Sequence, residues 1–268
     1  MAEEKGSLGV ESRLSPNLES FLRGLDRRKF ERLKKDSETY KIMERVFDSS
    51  TLLTLYHMMN TDVFDLFGGA VSTGKEANIF YALDKNKKYV AIKIYRLATS
   101  DFKSMHRYLA ADPRFEGISN DRRAVISAWA SREFRNLKRA VEAGIPAPKP
   151  IDQERNVLVM EFLGKRGTPY PRMKDIRPKD PKKAFESLIS SVKLLYQKAK
   201  LVHSDLSEYN VLLTPEPAII DFSLGTDVRN PMADELLLRD IEKLVKYFRK
   251  LGVETKEPVE LFDEIRKS

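Results

Sequence analysis

The chain has 268 residues, 41% of them hydrophobic, with a formal net charge of +8 and no cysteine. Such apolar content can build a sizeable core in one domain or two lobes, no apolar run approaches the ~20 residues of a membrane helix, and disulfides are excluded. With only His57, His106 and His203 as imidazoles, a zinc site is short of ligands, whereas carboxylates for a hard cation such as Mg²⁺ are plentiful.

The opening MAEEKGSLGV carries acidic residues and lacks the apolar segment of a secretory leader, so the chain is read as cytoplasmic, with no membrane partner. Residues 1–55 form a charged N-terminal region in which Phe30, Leu33, Tyr40, Met43 and Val46 could lay one helical face on the small lobe of the fold. Basic residues crowd 26–35 and again 165–183. Those runs suit either a polyanionic partner or plain solvated faces, and Glu31 and Asp36 interrupt the first.

GAVSTGKEANIF at 69–80 departs from the phosphate-cradling pattern GxxxxGK[ST] because Glu76 stands where a hydroxyl should hold Mg²⁺. A P-loop must also follow a strand and open a helix. TDVFDLFG before Gly69 has helical spacing, and Ala77, Ile79, Tyr81 and Leu83 after it alternate as a strand, turn through Lys85 to Lys88, and return as YVAIKIY. A β-hairpin is therefore expected in place of a P-loop. On its second strand Val90, Ile92 and Ile94 face one side and Ala91 and Lys93 the other. That is the V-A-I-K strand of protein kinases, whose Lys meets the α/β phosphates, and STGKEANI then fits GxGxxGxV with only Gly74 kept.

Ala98 to Asp121 is polar, contains Pro113 and Gly117, and is expected to be a long mobile insertion, a candidate for ordering over nucleotide or for carrying an autophosphorylated Ser104 or Ser119. Arg123 to Ala143 reads as a helix stopped at Gly144, with Trp129, Glu133, Leu137 and Val141 on one stripe. A carboxylate among core-facing residues needs a cation, so Glu133 is expected to pair with Lys93. Asn156 to Met160 is a short apolar strand leading into Glu161-Phe162-Leu163, where a kinase offers backbone groups to adenine; Met160, the Glu161 carbonyl and the Leu163 amide are the expected contacts. Pro181 to Lys200 has the pattern of a core helix.

HSDLSEYN at 203–210 matches H-R-D-L-x-x-x-N, and Ile220-Asp221-Phe222-Ser223 follows where D-F-G should stand. Asp205 is expected to meet the attacking hydroxyl or water. Asn210 and Asp221, brought together by a hairpin between 211 and 220, supply two oxygens for Mg²⁺ beside the nucleotide phosphates. After Asp221 the stretch 235–251 reads as one amphipathic helix, and no A-P-E motif is present.

In STGKEA, HSDLSEYN and IIDFS the sequence resembles the RIO family of atypical protein kinases, in its first subfamily and near archaeal members, from about Phe47 to Ile265. The resemblance implies an α+β, two-lobed protein-kinase-like fold with a β-rich N-lobe at 56–163. A mainly helical C-lobe, truncated and lacking the peptide-binding subdomain, takes 164–268, and a helical N-terminal extension takes 1–55. It implies ATP and Mg²⁺, with Mn²⁺ as an alternative ion, held by Ser72, Thr73, Gly74, Lys75, Glu76, Ile79, Lys93, Glu133, Met160, Glu161, Leu163 and Asn210. Asp205 is the catalytic residue it implies, Asp221 both a metal ligand with Asn210 and a candidate aspartyl-phosphate. Two departures stand out: Ser204 replaces the Arg of the kinase loop and Ser223 the Gly of D-F-G. Three readings follow. The first is a kinase that phosphorylates serine, itself included, and acts in maturation of the small ribosomal subunit, with the pre-ribosomal particle as partner. The second is an ATPase switch on that particle; the third is a small-molecule phosphotransferase.

Overall fold

The computed structural model describes residues 47–97, 102–110, 112–115, 117 and 119–267. The helical face expected from Phe30 to Val46 lies outside these residues, as does the side chain of Ser104. A helix, α1 (Ser49–Asn60), begins where the Asp48 carboxylate caps the amides of Ser50 and Thr51. Its buried Leu52, Leu55, Tyr56 and Met59 lie against one face of a five-stranded antiparallel sheet. The strands are β1 (Leu66–Thr73), β2 (Ala77–Leu83), β3 (Tyr89–Tyr95), β4 (Pro150–Glu154) and β5 (Val157–Glu161), in the order β1-β2-β3-β5-β4.

Period-two alternation decides what each face of this sheet does. Val90, Ile92 and Ile94 of β3 join Val157 and Val159 of β5 under α1. Ala91 and Lys93 point to the opposite face, toward the cleft. Lys93 stands opposite Ile79 of β2 on one side and Leu158 of β5 on the other, so its backbone is fixed from both edges.

Two expectations are corrected by this architecture. The helical spacing read in TDVFDLFG belongs to a strand entry: β1 begins at Leu66, and Phe64 and Phe67 are both buried in the cluster under α1. Gly68 is needed there because a β-carbon would come within 2.2 Å of the Tyr81 ring on β2. The insertion expected as a mobile loop contains a helix, α2 (Phe102–Ala110), followed by a 3₁₀ turn at Pro113–Phe115. Met105 and Leu109 of α2 are buried against Val125, Ile126 and Trp129, and that apolar contact holds an otherwise polar segment in place.

Trp129 belongs to α3 (Arg122–Glu142), capped by Asp121 and followed by Gly144 at φ +87. Beyond β5 come two short ladders, β6 (Gly164–Lys165) with β7 (Thr168–Pro169), and β9 (Val211–Leu212) with β10 (Ala218–Ile219). A third joins β8 (Leu201–Val202) to β11 (Thr226–Asp227). They are set among α4 (Pro181–Gln197), α5 (Ala233–Lys250) and α6 (Pro258–Arg266). The sequence reading did not foresee α6; its Leu261 and Ile265 are buried, and Gln197 of α4 donates to the Ile265 carbonyl at 2.7 Å. The lower core of Leu188, Val192, Leu201, Ile241 and Phe248 continues up to Ala91, Leu158 and Met160, so one apolar body joins the sheet to the helices.

Candidate active site

The cleft between sheet and helices has two adjoining parts of ≈ 480 and ≈ 410 Å³, within the usual range for small-molecule sites. The first is lined by Ala91, Met160, Glu161, Leu163, Glu133 and Asn210, the second by Thr73, Gly74, Lys75, Glu76 and Asp205. Ser72, Ile79, Lys93, Arg172 and Asp221 border both. Every site residue expected from the sequence thus reaches one cleft.

At its centre Lys93 Nζ lies 2.8 Å from Glu133 of α3 and 2.9 Å from Asp221. Burial disfavours the Lys93 ammonium, but the charges of Asp221 and Glu133 outweigh it and raise its pKa. For Glu133, burial and the charge of Asp221 push the pKa up against the pull of Lys93. The Tyr95 hydroxyl also donates to Glu133. Tyr95 lies two residues beyond Lys93 on the same strand face, so period two could have revealed it. Asp221 remains 43% exposed to the cleft. Burial opposes its ionisation, yet Lys93 and the Ser223 hydroxyl, which donates at 2.7 Å, bring its pKa down to about 2.

The loop after β8 carries His203, Ser204 and Asp205, with Ser204 in the left-handed region at φ +70. Asn210 donates from Nδ2 to the Asp205 carbonyl at 2.9 Å and to its Oδ2 at 3.2 Å. With Nδ2 so engaged, Oδ1 is the side-chain atom of Asn210 left to meet a cation in the cleft that it lines. The β9–β10 hairpin returns the chain so that the Ile220 amide donates to the Asn210 carbonyl at 3.0 Å, which brings Asp221 beside it. Asp221 itself has φ +63. Among the described residues no three His, Cys, Asp or Glu side chains gather as a metal cluster. An amide oxygen and a carboxylate are hard oxygen donors, the kind that fits Mg²⁺ when phosphates and water complete its shell.

Above the cleft, the amide of Gly74 donates to the Ala77 carbonyl at 3.0 Å and closes the loop between β1 and β2. After β5, the Glu161 amide donates to Lys149 and the Leu163 carbonyl accepts from Tyr170; neither bond uses the Glu161 carbonyl or the Leu163 amide.

Sequence reasoning missed two groups of residues. Asp112 pairs with Arg114 and with Arg132 of α3; Arg114 donates to Asn136 at 2.9 Å, and Asn136 donates to the Phe222 and Gly225 carbonyls. Arg132 reaches the Ser223 carbonyl at 3.3 Å. This buried network ties the insertion to the segment carrying Asp221. The second group lies on α5, where Asp240 accepts from the amides of Ser204 and Leu206 at 2.7 and 2.9 Å. Burial raises the Asp240 pKa to about 7 despite these two bonds. Three-residue spacing along the polar side of α5 was the available signal, but polar helix faces ordinarily mean solvent.

A strand lysine ion-paired to a helix glutamate, above an Asp-x₄-Asn loop and an aspartate returned by a hairpin, is the arrangement of a protein-kinase-like enzyme. The model of the RIO domain matches residues 78–261. The RIO-type serine/threonine-protein kinase Rio1 of Methanocaldococcus jannaschii is 44% identical over 225 residues, covering 84% of this chain and 77% of its own. That of Haloferax volcanii is 42% identical over 221 residues, covering 82% and 76%. Among solved structures, the Rio2 kinase–ADP/Mg²⁺–phosphoaspartate complex from Chaetomium thermophilum shares the fold with a TM-score of 0.61 at 23% identity, over 80% of this chain and 65% of that one. The chain belongs to the RIO family, in its Rio1 branch and with archaeal relatives, and is an ATP-dependent kinase by class.

Proposed function

We propose that this protein transfers the γ-phosphoryl group of Mg·ATP to serine hydroxyls, its own included. The observation that carries the reading is Lys93 bridging Glu133 and Asp221, in a cleft whose far wall holds Asp205. In this assignment Ala91, Ile79, Met160 and the 161–163 segment enclose the adenine, while Ser72 to Glu76 and Lys93 hold the phosphates. Asn210 and Asp221 hold Mg²⁺, which when bound neutralises phosphate charge. Asp205 orients the acceptor hydroxyl and takes its proton as the new oxygen–phosphorus bond forms. The bond from the γ-phosphorus to the bridging oxygen breaks, and its electron pair leaves with ADP. For the division of the chain we start the N-lobe at Ser49 and not at 56, since α1 runs through residue 55 and packs on the sheet.

A second reading is an ATPase switch in which Asp221 accepts the phosphoryl group. It is favoured by the ionised, 43% exposed carboxylate of Asp221 and by the phosphoaspartate in the Rio2 complex that shares this fold. Under either reading the partner is a pre-small-ribosomal-subunit particle in the cytoplasm. The formal charge of +8 suits an rRNA-rich surface, and no described helix is long and apolar enough to cross a membrane.

The test is incubation with γ-labelled ATP and Mg²⁺, alone and with immature small-subunit particles, followed by acid and hydroxylamine treatment. Acid-stable label on serine, abolished in Asp205→Asn with ATP affinity retained, supports the kinase. Hydroxylamine-labile label lost in Asp221→Asn, or phosphate release that rises with particles, supports the switch. Full turnover in Asp205→Asn removes that residue from the chemistry.

A further inference from the structure

One turn of α5 grips three consecutive residues of the loop that carries Asp205. Arg239 donates to the Ser204 carbonyl at 2.9 Å, Asp240 accepts from the Ser204 and Leu206 amides, and Lys243 Nζ lies 2.8 Å from Asp205 Oδ1. Residues 239, 240 and 243 can do this together because positions three and four apart share a helix face. Asp205 Oδ2 is met separately by Asn210 Nδ2 at 3.2 Å. Both carboxylate oxygens are therefore held, each from a different element.

Neither loop position beside Asp205 offers a permanent cation in place of Lys243, since Ser204 precedes it and Ser207 follows two residues later. Nor is stability a sufficient reason for the pair. Lys243 is 35% and Asp205 47% exposed, and ion pairs this exposed add little to stability. Orientation is another matter, since a reacting group displaced by about 1 Å can cost on the order of 100-fold in rate.

We propose that Lys243 is a positioning residue for the phosphoryl-transfer reaction, delivering from α5 the ammonium that fixes the Asp205 carboxylate for the acceptor. This rests on the role given to Asp205 above. The ammonium acts on one rotamer of one carboxylate, so its loss touches turnover and not nucleotide binding.

The experiment compares Lys243→Met and Lys243→Arg in single-turnover phosphoryl transfer, with Mg·ATP affinity and thermal midpoint measured on the same samples. Lys243→Met is expected to slow transfer by about 10- to 100-fold, with Mg·ATP affinity within about twofold and the fold retained; Lys243→Arg should recover most of the rate. An inactive Asp205→Asn beside a fully active Lys243→Met would overturn this inference alone. A Lys243→Met loss that comes with equally weakened Mg·ATP affinity or a lowered thermal midpoint, and that Lys243→Arg does not recover, would overturn it too. Full activity of Asp205→Asn would instead overturn the reading on which it rests.

Discussion

Lys93 and Glu133 form an ion pair almost wholly withdrawn from water, with side chains 7% and 1% exposed and 2.8 Å between them. Such a pair is costly to break from one side because the remaining charge has no solvent to fall back on. Tyr95 adds a hydroxyl to Glu133 from the same strand face, so a cation and a hydroxyl hold the one carboxylate.

Replacing Lys93 with Met should accordingly destabilise the fold by about 3 kcal/mol, read as a lower denaturation midpoint in urea. Glu133→Gln should cost less, since an amide oxygen still accepts from Tyr95 and Lys93 keeps Asp221. A Lys93→Met protein as stable as the parent would mean that the pair is not a buried anchor of the fold.

Asp221→Asn should weaken nucleotide binding in the presence of Mg²⁺ by at least about 10-fold, the worth of one charge-assisted contact, while affinity in EDTA changes little. Calorimetric titration with and without Mg²⁺ separates the two. Equal affinities in the parent under both conditions would argue against Asp221 and Asn210 as the cation's ligands.

Asp227 gives a pH signature. Burial opposes its ionisation, but hydrogen bonds from Arg229 and Arg139 bring its pKa down to about 2 from 3.8. A carboxyl with a depressed folded-state pKa stabilises the fold fully above its unfolded value, and the contribution is lost as pH falls from about 4 toward 2. Because Arg229 is 73% exposed and screened by solvent, the contribution at neutral pH is on the order of 1 kcal/mol. Asp227→Asn should therefore lower stability at pH 7 and flatten the acid limb of the stability profile; parallel profiles for parent and variant would contradict the assignment.

Leu109 of α2 is 0% exposed, packed in the cluster that includes Trp129. Leu109→Ala should cost about 2–4 kcal/mol through lost contact and a residual cavity. No change in the thermal midpoint would return residues 102–110 to the loop expected from their polar composition.

How much of this was legible beforehand depended on whether the signal was local. The hairpin of β2 and β3 announced itself by strict alternation, α3 by an apolar stripe ending at Gly144, and α5 by an amphipathic stripe. Glu133 could be matched to Lys93 because an unpartnered carboxylate on a core stripe is a local contradiction that demands a distant cation. The errors have a common cause. Phe64 and Phe67 imitated a helical repeat at a strand entry, and α2 has too few apolar residues to be told from a loop until Trp129 is placed against them.

The sequence by itself determined the order of the chemical groups: a glycine-containing loop, Lys93, Glu133, the Asp205–Asn210 loop and Asp221, with Lys93 and Glu133 on elements of readable period and the others marked by motif spacing. Only the tertiary structure decided how the groups are held. The two oxygens of Asp205 are assigned to Lys243 and Asn210, Asp240 secures the amides around Ser204 at φ +70, and Asp112 reaches through Arg114 and Asn136 to the carbonyls after Asp221. These contacts join residues up to 38, 36 and 89 positions apart. Polar pairing across such separations leaves no periodic trace in a sequence, because a charged side chain on a helix surface has the same spacing whether it meets water or a partner.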